Sequence, residues 1–143
     1  MKKLIIPEIY LKNGLCNGEN PVELAKYFSE AGADAIILYD LSSDDQEHEI
    51  NLHTMKEIYR AVEVPMYGAG NINRVEDVKK ILYTGCTKAI LNFSKVSNRE
   101  MLEEVSKRFG KEKIAASVDC KEQLLANNNA LEAYASMVVA VRD

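Results

Sequence analysis

Short apolar runs alternate with longer amphipathic segments along this chain, and no other feature restricts its fold as strongly. The apolar runs have the length of β-strands, and the amphipathic segments repeat with the period of an α-helix. Strands that are almost continuously apolar and alternate with helices are typical of a parallel sheet covered by helices. The sequence therefore predicts an α/β fold made of parallel βα units.

The same patterns predict where the individual elements lie. The predicted strands are Leu4–Tyr10, Asp34–Asp40, Glu63–Gly68, Lys88–Asn92 and Lys113–Asp119. The predicted helices are Pro21–Gly32, a second helix capped by Ser42 or Ser43, Arg74–Gly85 and a fourth that opens at Ser97 and ends at Phe109. The last part of the chain predicts a poorer helix, weakened by three successive asparagines, and a short strand at Met137–Val141.

An internal repeat supports this architecture. The segment Pro21–Leu41 aligns without gaps on Arg74–Ser94, which places Gly32 on Gly85. The repeating unit is two strand–helix pairs, as in stacked quarter-barrels. A TIM barrel has eight such pairs in about 250 residues, so 143 residues hold roughly five. We predict a single domain over residues 1–143, a partial TIM barrel or an open flavodoxin-like sheet, which can itself be a fragment of a longer chain.

Composition excludes some classes of partner. The net charge of −4 gives no reason to expect a nucleic acid or an acidic membrane surface. No apolar run is long enough to cross a bilayer. The three cysteines are scattered without a disulfide or zinc spacing, so we expect reduced thiols in a cytoplasmic protein with no metal and no cofactor.

The stretch "VPMYGAGNINR" predicts an anion site. Gly68 and Gly70 follow a predicted strand and precede a predicted helix, so backbone amides and a positive helix end can face a ligand there. Asn92 and Ser94 end the next strand. Carboxyl ends of neighbouring parallel strands lie at one edge of a sheet. These four residues therefore predict a phosphate cup, although a tight turn without a ligand is the alternative for the glycines.

Carboxylates also occur at strand ends. Asp40 and Asp119 follow strands, and Glu8 lies within the first strand on the same face as Tyr10. We weigh acid–base chemistry against loop capping for the two aspartates and against a structural ion pair for Glu8. His48 and the other histidine, His53, are expected on the surface.

At this point the sequence resembles a known family, through the strings "ILYDLS", "VPMYGAGNINR", "LNFSKV" and "ASVD". It resembles the histidine-biosynthesis barrels, most of all the cyclase subunit of imidazole glycerol phosphate synthase, and also the phosphoribosyl isomerase of that pathway. The resemblance runs from Leu4 to Asp119 and corresponds to just over half of a family barrel. It implies a ligand with two phosphates, the first held by residues that match the cup predicted above.

The resemblance also implies catalytic roles, and here the sequence departs from the pattern. Asp119 matches one of the family's two catalytic aspartates, and Asp40 matches its strand-two aspartate. The other catalytic aspartate is replaced by Tyr10, and a tyrosine is a poor base at neutral pH. Glu8 is the nearest substitute, but it lies two residues away.

Three functions follow as expectations. The first is a catalytically degraded domain that binds a phosphoribosyl compound. It resembles the N-terminal part of bifunctional phosphoribosyl-AMP cyclohydrolase/phosphoribosyl-ATP pyrophosphohydrolase proteins. The second is an active cyclase or isomerase completed by dimerisation. The third is a structural module, because an open sheet leaves edges that a second copy or an associated histidine-pathway domain must cover.

Overall fold

A six-stranded parallel sheet forms the centre of the protein. The computed structural model describes residues 3–140. The strands are β1 (Glu8–Leu11), β2 (Ile36–Asp40), β3 (Met66–Ala69), β4 (Lys88–Asn92), β5 (Ile114–Val118) and β6 (Met137–Ala140). Their order in the sheet is the same as their order in the chain, and every neighbouring pair is parallel. Sequential parallel order is the arrangement found around a TIM barrel.

Helices connect the strands. They are α1 (Pro21–Glu30), α2 (Asp45–Ala61), α3 (Val75–Tyr83), α4 (Val96–Phe109), α5 (Lys121–Ala126) and α6 (Asn128–Tyr134), with a short 3-10 helix at Lys111–Lys113. In a sheet of sequential order, right-handed crossovers place all connecting helices on the same face. We call this the helix face and the opposite one the inner face.

The main hydrophobic core lies between the sheet and the helices. Alternate strand residues point to it because successive side chains of a strand face opposite sides. From the strands it takes residues such as Ile9, Leu38, Leu91 and Ile114, and from the helices residues such as Met55, Ile58, Val78 and Leu102. This burial is the main source of stability that fixes the strand ends relative to one another.

The inner face carries a second, smaller apolar cluster. Ile37, Ala69, Ile90 and Ala115 are buried there. Partly buried side chains pack against them, among them Tyr39, Tyr67 and Met137. Tyr10 stacks on Tyr39 with ring centroids 4.8 Å apart and is still 44% exposed. Within residues 3–140, no helix packs on this face, so the sheet has the form of an opened barrel.

The fold class predicted from the sequence is confirmed. The sheet is a partial, TIM-barrel-like one, and its sequential order excludes the flavodoxin-like alternative. The short strand predicted near residue 137 is present as the sixth strand and pairs with β5. The predicted end of that strand, Val141, lies outside the described residues.

Several predicted boundaries are wrong by a few residues. β1 begins at Glu8 rather than Leu4. α2 is capped by Asp44, whose side chain accepts a hydrogen bond from the backbone N–H of Glu47, and not by either serine. α4 begins at Val96, before the serine that the capping-box spacing had indicated. Side-chain caps depend on local backbone geometry, which the residue types alone do not specify.

The helices of the described region are too short or too polar for a membrane span.

Candidate functional site

A cavity of about 240 Å³ opens at the carboxyl ends of β3, β4 and β5. Its wall takes in the loop after β3, the first turn of α4 and the end of β5. The lining residues used below are Gly70, Asn92, Lys95, Asn98 and Asp119. In parallel α/β folds this edge is where ligands bind, so it is the candidate site.

The two glycines of the turn have different positions. Gly70 lines the cavity with φ at +89°, and a Cβ there would overlap the backbone oxygen of Asp40. Gly68 lies on the helix face, where a Cβ would overlap Ile81. The structure therefore brings Gly70 to the candidate site, whereas Gly68 leaves space for helix packing and does not line the cavity.

Three of the predicted residues meet in a chain of hydrogen bonds. Asn92 accepts from the backbone N–H of Ser94 at 2.9 Å, and the Ser94 hydroxyl donates to the carboxylate of Asp119. Gln123 fixes the far side, since its Oε1 accepts from the backbone N–H of Asp119 at 2.9 Å. The sequence prediction that these strand ends converge is thus matched in space, although Ser94 itself does not line the cavity.

Sequence reasoning missed Lys95 and Asn98, both of which line the cavity. Lys95 contributes the cation of the cavity, and its Nζ donates to Asn73 Oδ1 at 2.9 Å. Asn98 is 1% exposed and donates from Nδ2 to the Asn92 carbonyl at 3.1 Å, and its Oδ1 has no hydrogen-bond partner among residues 3–140. A lysine that directly follows "LNFS" at a helix start was a readable signal, because helix N-termini and cations both attract anions.

Neither Glu8 nor Tyr10 lines this cavity, although Tyr10 stacks on Tyr39, which does. Glu8 is the first residue of β1, whereas Asp119 follows the last residue of β5, so the two carboxylates lie at opposite ends of parallel strands. Tyr10 donates its hydroxyl to Glu8. That hydrogen bond, with burial and the negative charge of Glu8, raises the pKa of Tyr10 to about 12. The pair therefore does not supply a base beside Asp119.

Asp40 faces the helices rather than the cavity. Its carboxylate is fully buried, and it accepts from the backbone N–H of Ser42 at 3.0 Å and from Asn51 Nδ2 at 2.7 Å. It also bonds Nδ1 of His48. The prediction of a surface position is therefore wrong for His48, whose side chain is only 14% exposed, and holds for His53, which is 71% exposed.

Comparison with known proteins assigns the family. A family model described as "Histidine biosynthesis protein" matches residues 10–142. The chain belongs to this histidine biosynthesis family. The sequential parallel sheet and the convergent strand ends of this family member agree with the resemblance read from its motifs.

Curated relatives carry a more specific name. The imidazole glycerol phosphate synthase subunit HisF of Helicobacter hepaticus is 33% identical over 109 residues, which are 76% of this chain and 43% of the relative. The subunits of that name from Methanococcus vannielii and Staphylococcus aureus are each 30% identical. The alignment with the Methanococcus subunit covers 90% of this chain and that with the Staphylococcus subunit 83%, and each covers 51% of the relative. This histidine biosynthesis family member thus spans about half the length of the curated relatives it matches.

Proposed function

We propose that this protein binds a phosphoribosyl compound in the cavity at the ends of β3, β4 and β5. The observation that carries the proposal is a lysine, Lys95, at the start of α4 and on the wall of a cavity that a glycine turn also lines. The first turn of an α-helix has backbone N–H groups without partners inside the helix, and these favour anions. The cation, the helix start and Gly70 together suit one phosphate group.

The remaining lining residues suit a sugar. Asn92 and Asn98 also line the cavity, and side-chain amides both donate to and accept from the hydroxyls of a sugar. The carboxylate of Asp119, already bonded by Ser94, accepts further donors. A ribose phosphate therefore matches the cavity better than inorganic phosphate alone.

Binding is favoured over turnover. A two-acid mechanism needs a second group beside Asp119 within hydrogen-bond reach of the substrate. Glu8 lies at the amino end of β1 rather than at the carboxyl ends of the strands, and the raised pKa of Tyr10 keeps its hydroxyl protonated at neutral pH. We propose that the chain is a catalytically degraded relative of the imidazole glycerol phosphate synthase cyclase subunit.

Calorimetric titration with ribose 5-phosphate tests the proposal. The wild-type chain is expected to bind saturably, and Lys95→Gln is expected to weaken binding about tenfold, because a charge-assisted hydrogen bond to phosphate is lost. Lys107→Gln is the matched control on the exposed far end of α4 and should leave binding unchanged. Absence of saturable heat at millimolar ligand, or equal effects of the two substitutions, would overturn the proposal.

The resemblance to bifunctional proteins supports a second proposal about context. We propose that this chain acts as the cyclase-like module of a longer protein that carries phosphoribosyl-AMP cyclohydrolase and phosphoribosyl-ATP pyrophosphohydrolase activities, or as a partner of such modules. The curated relatives are about twice as long as the aligned part, which agrees with a module that functions beside further protein. Co-purification of the tagged chain with those two activities from its own cells tests it, and purification free of both would contradict it.

A further inference from the structure

The loop between β1 and α1 contains the two Asn-Gly pairs of the sequence, Asn13–Gly14 and Asn17–Gly18. Each pair forms a two-residue turn in which both residues have φ between 50° and 80°. The residues that flank each turn exchange a pair of backbone hydrogen bonds. Asn-Gly favours such turns because both residue types adopt the left-handed conformation readily. The two turns therefore share residue types and backbone shape, and both asparagines are exposed.

The first turn is docked on α2, and the second is not. The backbone N–H of Gly14 donates to Asn51 Oδ1 at 2.7 Å, and Asn51 is 0% exposed. A Cβ at Gly14 would lie 2.9 Å from Ile50 Cγ2, so the first turn also lies against the side of α2. Gly18 is exposed, and its N–H has no hydrogen-bond partner within residues 3–140. A Cβ at Gly18 would have no atom within 4 Å, so the second turn projects into solvent.

An Asn-Gly pair loses its side-chain amide without an enzyme. The backbone nitrogen of the glycine attacks Cγ of the asparagine and forms a C–N bond, while the side-chain nitrogen leaves as ammonia and takes the hydrogen of the backbone amide. Water then opens the cyclic imide, a succinimide, at either carbonyl and gives aspartate or isoaspartate. In sum, asparagine and water become a carboxylic acid and ammonia. Glycine permits the reaction because no side chain hinders the attack.

The attack requires a free glycine N–H and an opened turn. An N–H that donates to a buried acceptor cannot turn towards the reacting carbon until that hydrogen bond breaks. Opening the first turn breaks its backbone pair and also the hydrogen bond to Asn51. Opening the second breaks only the backbone pair between Cys16 and Glu19. Local opening that loses fewer contacts costs less free energy, so the second turn reaches the reactive conformation more often.

We propose that Asn17 is a site of spontaneous deamidation and that docking on α2 protects Asn13. The product carries one additional negative charge, next to Glu19 and near Asn20, whose side chain caps α1. Isoaspartate also lengthens the main chain by one carbon, which the geometry of a two-residue turn does not accommodate. The modification therefore changes both the charge and the shape of this loop as the folded protein ages. None of these residues lines the phosphate cavity, so this proposal is independent of the proposed function.

Peptide mass spectrometry tests the proposal, with Asn13 as the internal control. Cleavage after Lys12 and Lys26 releases one peptide that contains both turns. In the folded full chain, aged at mildly alkaline pH, Asn17 should convert about tenfold faster than Asn13, because Gly14 keeps its hydrogen bond. In guanidinium chloride the two should convert at similar rates, because docking on α2 is lost. Equal rates in the folded chain, faster conversion of Asn13, or conversion of neither would overturn the proposal.

Two matched variants give a second readout on the intact protein. Asn17→Gln and Asn13→Gln each replace one asparagine by a residue that reacts much more slowly, because glutamine must close a larger ring. With age, the wild type and Asn13→Gln should gain an acidic band on native isoelectric focusing, and Asn17→Gln should not. Persistence of that band in Asn17→Gln would overturn the proposal, whatever Asn13→Gln shows. Binding of ribose 5-phosphate is measured separately, so either proposal can fail alone.

Discussion

At the scale of single residues, two glycines with similar positive φ angles have different surroundings. Gly70 and Gly18 have φ at +89° and +78°, in the left-handed region that other residues adopt only with strain. A Cβ at Gly70 would overlap the backbone of Asp40, while nothing lies within 4 Å of one at Gly18. Substitutions at these two positions therefore separate the free-energy cost of a left-handed backbone from the free-energy cost of a steric overlap.

The prediction is a large difference between the two alanine variants. Gly18→Ala should lower the free energy of unfolding by about 1 kcal/mol, which is the strain of a left-handed alanine. Gly70→Ala should lower it by about 3 kcal/mol, because the backbone after β2 must also move. Urea denaturation measures both, and equal losses would show that Gly70 is not held against Asp40.

A second residue-scale prediction concerns the buried thiol of Cys86. Burial raises its pKa to about 11, against an opposing hydrogen bond from Thr84. Between pH 9 and 11 the folded protein keeps this proton and the unfolded chain releases it, so stability must fall as pH rises. We expect a loss of about 1 kcal/mol between pH 8 and pH 10 that is absent in Cys86→Ala.

The measurement compares the two proteins by urea denaturation at both pH values. Tyrosines titrate in the same range, and they contribute equally to wild type and variant, so the difference isolates the thiol. An identical pH dependence in Cys86→Ala would contradict the prediction. The exposed Cys120 should react with a thiol reagent in the folded protein, whereas Cys16 and Cys86 are buried and should react only on unfolding.

At the scale of elements, one buried amide ties three parts of the chain together. Asn51 of α2 donates to the carbonyl of Leu11 at 3.0 Å and to Asp40, and it accepts from Gly14. It thus joins α2 to the ends of β1 and β2. Removing it leaves a carbonyl, an N–H and a buried carboxylate short of a partner.

Asn51→Ala is therefore expected to be strongly destabilising. The free energy of unfolding should fall by about 3 kcal/mol, since buried groups lose their partners and cannot reach water. Asn129→Ala, on the exposed side of α6, is the control and should change it by less than about 0.5 kcal/mol. Urea denaturation of both variants gives the comparison, and a small effect at Asn51 would mean that the network is not formed.

At the scale of the whole molecule, the inner face of the sheet exposes apolar and aromatic surface that no helix of the described residues covers. Within the described residues, β1 pairs only with β2 and β6 only with β5, so both edges are open. Two copies joined edge to edge would form a ring of about twelve strands rather than the eight of a TIM barrel. Packing of two inner faces against each other covers the exposed aromatic surface without such a ring.

We predict self-association through the inner face. Sedimentation should show a concentration-dependent dimer, and Tyr10→Ser, on that face, should weaken it about tenfold by loss of buried aromatic area. Tyr27→Ser removes a tyrosine that is 65% exposed on α1, on the helix face, and should not weaken it. A stable monomer at all concentrations would instead indicate that other strands cover this face in the working protein.

The sequence by itself determined the types of element and their assembly into a parallel sheet, whereas the order of the strands came from the structure. Apolar runs and helical periodicity record which residues are buried, and right-handed connections leave few ways to assemble them, so the parallel sheet could be predicted. The convergence of Asn92, Ser94 and Asp119 followed as well, because they end neighbouring strands.

Only the tertiary structure decided which side chains meet across elements. Gly68 and Gly70 are both glycines of one short stretch and look equivalent in the sequence. Gly68 nevertheless packs beneath a helix, whereas Gly70 lines the cavity. His48 belongs to a polar helix start in the sequence, yet the docking of α2 on β2 buries it against Asp40. Periodicity encodes burial, whereas contacts between distant segments depend on how packed helices are placed on the sheet, which no local pattern contains.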